Sequence, residues 1–101
     1  MISTCQYFAL GAALIAQSAV AADADSGKRL ALMWCEVCHI VELNGREEVA
    51  DAPPFDAIAR KFDSNAGLLT FTLLSPHPRM NLTFKQSEAE DIAAYIATFG
   101  N

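Results

Sequence analysis

Apolar residues recur at i, i+3, i+4 and i+7 in three places along the chain. The sets are Gly27, Leu30, Ala31 and Trp34; Phe55, Ile58, Ala59 and Phe62; and Ala89, Ile92, Ala93 and Ile96. Each lines one face of a helix. Ser26 stands where it can cap the first, Pro53-Pro54 halts any helix before the second, and Ser87 with Glu90 makes a capping box for the third. Tyr95 and Phe99 extend the last apolar face, and Gly100 ends it. A glycine early in a helix costs about 1 kcal/mol against alanine, so Gly27 implies a close crossing with another helix. Trp34, a large aromatic on a helix of a small protein, is expected in the core.

Residues 66–74 are ambiguous, because Leu69-Thr70-Phe71-Thr72-Leu73 alternates as a strand does. No other strand candidate exists to pair with it, so the expectation is a helix capped by Ser64 and ending before Pro76. Between the second and third periodic sets also lies Pro76-His77-Pro78-Arg79-Met80, stiffened by two prolines and without periodicity. Residues 42–52 are polar and acidic around Asn44-Gly45, a turn signal, and read as a surface loop. The expected fold class is all-α, with about four helices joined by loops.

Residues 7–20 form a mainly apolar run, followed by the small-x-small sequences Ala19-Val20-Ala21 and Val20-Ala21-Ala22 ahead of Asp23. That pattern predicts a secretory signal peptide over residues 1–22 and export to the periplasm. The run is shorter than the ~20 apolar residues of a spanning helix, and nothing else in the chain could cross a bilayer. Export changes the cysteine count. Of the three cysteines, Cys5 leaves with the signal, and Cys35 and Cys38 remain.

The chain has 101 residues with 12 acidic and 7 basic side chains, a net charge of -5, and every charge lies beyond residue 22. An acidic surface argues against nucleic acid as a partner and favours basic protein surfaces. A mature part of this size makes only a marginal apolar core by itself.

Cys35-Glu36-Val37-Cys38-His39 is the C-x-x-C-H pattern of c-type haem attachment. On a helical turn the two sulfurs and the imidazole share one face, so a short segment grips a flat ligand. The thiols of Cys35 and Cys38 would bind the haem as thioethers, and His39 would be the proximal ligand of its iron. One such haem c per chain would complete the small core. Met80, on an irregular segment about forty residues after His39, is the candidate for the opposite axial place. Met33, two residues before Cys35, cannot reach across. His77 is the competing ligand, hindered by a proline on each side. Arg60 and Lys61 complement the end of their helix and could also reach the haem carboxylates.

With those residues in place, the chain resembles a small bacterial class I cytochrome c over the whole of residues 23–101. Gly27 stands eight residues before the first motif cysteine, and Ile92 with Tyr95 gives the apolar-x-x-aromatic pair of the last helix; the resemblance implies that the two helices cross there. It also implies that the carbonyl of Pro53, or of Pro54 one place on, accepts a hydrogen bond from His39. Met80 matches the axial-methionine loop of the family. Two positions depart: Ala31 replaces the usual aromatic four residues before Cys35, and Asn81 replaces a frequent proline after the methionine.

The resemblance implies a periplasmic one-electron carrier with His/Met ligation, a monomer docking on redox partner proteins and not an enzyme. A haem c subunit of a periplasmic dehydrogenase or oxidase complex is the alternative within the same chemistry. From other classes, a thiol-redox pair needs strands alternating with helices around Cys35 and Cys38, and none is expected. A zinc site of Cys35, Cys38, His39 and His77 lacks the two separated ligand pairs usual for structural zinc.

Overall fold

In the computed structural model, residues 21–42, 52–77, 79 and 81–100 are described. The expected signal segment up to residue 20, the Asn44-Gly45 turn, Pro78 and Met80 lie outside them. Helix α1 spans Ala24–Trp34, α2 Phe55–Lys61, α3 Ala66–Leu74 and α4 Gln86–Ala97, with a 3-10 turn over Thr98–Gly100. Among the described residues there is no strand, and the architecture is all-α as expected.

Local chemistry sets the helix starts. The Asp23 carboxylate accepts the N–H groups of Asp25 at 3.0 Å and Ser26 at 3.3 Å, so Asp23 caps α1 and Ser26, the expected cap, falls in its first turn. Ser64 does not cap α3 either. It holds a left-handed backbone with φ 53, as does Asp63 with φ 52, and the next residue, Asn65, accepts the Leu68 N–H at 3.0 Å. For α4 the expected Ser87–Glu90 box is replaced by one two residues earlier: Glu88 accepts the Lys85 N–H at 2.9 Å, and Glu90 takes a bond from the Gln86 side chain.

The alternating segment 69–73 is helical because its polar side chains bond within the helix. The hydroxyls of Thr70, Thr72 and Ser75 donate to the carbonyls of Ala66, Leu68 and Phe71, four residues back, at 2.8–2.9 Å. Such back-bonding satisfies a hydroxyl without a sheet.

α1 crosses α4 at Gly27. A Cβ there would stand 1.8 Å from the Asp91 carbonyl oxygen and 2.9 Å from the Ile92 nitrogen, so no larger residue fits. The Asp23 N–H also donates to the Asp91 carboxylate at 2.8 Å, which pins the start of α1 to the same point of α4. Ala31, Ala89, Ile92, Ala93 and Ile96 fill the seam, and Phe55, Ala59, Leu69 and Phe84 continue the core beneath α2 and α3. Trp34 is not sealed in that core. At the end of α1 it is 43% exposed and turns to the wall of a cavity between the helices.

Candidate functional site

Helix α1 ends at Trp34, so the C-x-x-C-H motif follows the helix instead of lying on it. Its spacing survives because the chain continues in one helical turn. The Cys35 N–H bonds the Ala31 carbonyl at 2.8 Å, and the His39 N–H bonds the Cys35 carbonyl at 2.9 Å. Cys35, Cys38 and His39 therefore face one cavity.

The opposite end of the motif is pinned to the segment before α2. Ala52 donates its N–H to the Cys38 carbonyl at 3.1 Å, and Phe55 donates to the Ile40 carbonyl at 3.0 Å. Pro53 is thereby held against the histidine: His39 Nδ1 and the Pro53 carbonyl oxygen are 2.5 Å apart. A carbonyl only accepts, so Nδ1 carries the proton and Nε2 keeps the lone pair that a metal needs. Phe55 supports the ring from the side, with centroids 5.6 Å apart.

Burial pushes the Cys35 thiol up to about 11. A dithiol catalyst needs the reverse, a thiol lowered toward neutrality by a cation or helix N-terminus. Neither Cys35 nor Cys38 is in a disulfide. Among the described residues, no three His, Cys, Asp or Glu side chains come together to hold a metal ion, which leaves the four-ligand zinc arrangement without support.

The cavity measures about 770 Å³, within the range of small-molecule and cofactor sites. Its walls are mostly apolar: Trp34 and the motif on one side, Phe55 and Ile58 of α2 with Phe62 just after it, Leu69 and Leu73 of α3, then Phe84 and Ile96. Two thiols, one imidazole with its lone pair available and an otherwise greasy slot suit a flat apolar macrocycle bearing a metal. The residues present fit a haem.

Of the residues singled out in the sequence, Cys35, Cys38, His39, Pro53 and His77 line this one cavity, while Met80 lies outside the described residues. Lys61 also reaches it, whereas Arg60 pairs with Asp56 at 3.2 Å on the helix surface. Two contributors carry no periodic signal. Phe84 is buried just ahead of α4, and Arg79 lines the cavity from a left-handed backbone with φ 64. Their one cue is position: both lie within four residues of Met80.

No family model and no solved structure gives a significant match to the chain. Over 90 residues it is 43% identical to cytochrome c-552 of Bradyrhizobium diazoefficiens, an alignment covering 88% of this chain and 86% of that protein.

Proposed function

Since the chain belongs to the small class I c-type cytochromes, with a covalently bound haem c and its iron, we propose that it is an exported one-electron carrier in which Cys35, Cys38 and His39 hold the haem. The observation that supports this most directly is the His39–Pro53 hydrogen bond at the wall of an apolar cavity that both cysteines share. The bound haem supplies the ferric/ferrous couple.

The chain's own residues do the rest. Cys35 and Cys38 bind through thioethers, so the group cannot leave. Pro53 fixes the tautomer, orientation and basicity of His39 as proximal ligand. Phe55, Leu69, Phe84 and Ile96 exclude water. Met80 would supply the second iron ligand, and its thioether would raise the reduction potential and close the iron to small molecules. No substrate is transformed, so the protein is a carrier and not an enzyme.

Residues 1–22 act as a signal peptide for export to the periplasm, and residues 23–101 form the cytochrome domain. Among the described residues no helix is long and apolar enough to cross a membrane. The acidic balance of the chain, net -5, steers it toward redox partners with basic docking surfaces.

The absorption spectrum of the purified protein in both oxidation states tests this reading. A reversible ferric/ferrous change, with the weak sulfur-to-iron band of the ferric form, is the expected result. A haem protein that lacks that band and binds carbon monoxide at once on reduction contradicts His/Met ligation and the carrier role.

A further inference from the structure

We propose that His77, whose ring lies beside that of His39 in the same cavity, is a second axial-ligand position able to exchange with Met80 at the haem iron. The proposal rests on the haem reading above and turns His77 from a competitor of Met80 into its exchange partner.

The geometry is that of two imidazoles in one slot. Both rings line the cavity, with centroids 6.0 Å apart and planes at 87°. Two imidazoles on opposite faces of one metal, each with a bond of about 2.0 Å and a nitrogen about 1.1 Å from its centroid, also stand about 6 Å apart. The perpendicular planes are no obstacle, because each ring can rotate about its own metal–nitrogen axis. His39 spends Nδ1 on Pro53, so its Nε2 is the atom for a metal.

The backbone keeps His77 in place. Ser75 closes the end of α3 with its N–H on the Thr72 carbonyl at 3.2 Å and its hydroxyl on the Phe71 carbonyl at 2.9 Å. Pro76 then fixes its own φ, which limits where the following residue can go. Arg79, two residues beyond His77, is left-handed and lines the same cavity. His77 and Met80 are three residues apart, so both compete for a single coordination place.

In the exchange an iron–sulfur bond breaks and an iron–nitrogen bond forms to the neutral imidazole, with no electron transferred. Imidazole in place of thioether lowers the reduction potential. The protein would then have two potentials, set by which side chain is bound.

The chain contains 2 histidines, so any second imidazole signal within one molecule belongs to His77. The test is the electron paramagnetic resonance and absorption spectra of the haem-loaded ferric variants Met80→Ala and Met80→Ala/His77→Ala. The single variant should stay six-coordinate and low-spin with a bis-imidazole signature, and the double variant should shift to high-spin. A high-spin Met80→Ala protein overturns the proposal. So does a low-spin state that persists in the double variant, which would mark a lysine, or a bis-imidazole signal that grows with protein concentration, which would come from another copy.

Should Met80→Ala not accumulate, film voltammetry of the folded, otherwise unmodified protein and of His77→Ala gives the same decision. The former should show a second couple at lower potential that the latter lacks; identical voltammograms refute the exchange. An unmodified protein without covalent haem would instead defeat the underlying reading, a distinct outcome.

Discussion

A carbonyl oxygen accepts and never donates, and that fact fixes the state of the most important side chain in the molecule. Opposite Pro53, His39 must hold its proton on Nδ1, which leaves the Nε2 lone pair open for the iron ligation proposed above. Tyr95 makes a similar commitment elsewhere, its hydroxyl donating to the Val41 carbonyl at 2.7 Å and tying α4 to the chain just after the motif. Tyr95→Phe should cost about 1 kcal/mol in guanidinium unfolding of the haem-loaded protein and leave the visible spectrum unchanged. An unaltered midpoint would show that water replaces the bond at no cost. Burial also raises the Tyr95 pKa, which means the folded state favours the protonated phenol. Stability from this residue is therefore intact below the ordinary tyrosine value of about 10 and is lost as pH rises through the higher folded value. Between those two values the unfolding curves of Tyr95→Phe should depend less on pH than those of the parent.

At the level of elements, the α1–α4 crossing is where sequence and structure meet most closely. Gly27 is required because the Asp91 carbonyl occupies the place of its missing Cβ. Gly27→Ala should destabilise the protein by about 1–3 kcal/mol, the usual range for overpacking, and thermal unfolding monitored by circular dichroism will measure it. Tolerance of alanine without loss would mean that the helices can slide apart. The cap of α3 is a smaller lever. Asn65→Ala removes the bond to the Leu68 N–H and should cost about 1 kcal/mol, whereas Ser64→Ala, at the position the sequence suggests for the cap, should cost less.

Periodicity made the helices legible: Phe55, Ile58, Ala59 and Phe62 announce α2, and Ala89, Ile92, Ala93 and Ile96 announce α4. It could not place the caps, because a cap depends on the backbone angles of one residue. Ser64 loses that role by adopting φ 53 in the turn before α3. Trp34 was misleading for a related reason. Its spacing matches the buried face of α1, but it is the last residue of the helix, and there the face opens onto the cavity. The C-x-x-C-H motif made the haem chemistry readable from five residues, and the resemblance to the class I cytochromes c pointed to Pro53 or Pro54. The closeness of His77 to His39 was not readable, since thirty-seven intervening positions say nothing about how α3 and the segment after it return to the motif.

For the molecule as a whole, two features bear on its work. On the proposed carrier role, the charge balance of -5 would steer encounter with a basic partner electrostatically. Second-order electron-transfer rates with such a partner should fall as salt rises from 0.01 M to 0.15 M, over which the screening length shrinks from about 30 Å to about 8 Å. A rate indifferent to salt would indicate docking through apolar contact alone. The second feature is the joining of fold and cofactor. The helices surround a cavity of about 770 Å³ whose floor is the attachment motif, so a small core is arranged around the space for its ligand.

That arrangement makes covalent attachment at residues 35–39 the claim on which the others stand. The most direct measurement is mass spectrometry of the protein after acid-acetone extraction, followed by peptide mapping. The haem should stay with the protein, and the peptide containing Cys35 and Cys38 should carry its mass through both sulfurs. Extraction of the pigment into the solvent, with both cysteines recovered unmodified, would contradict the account.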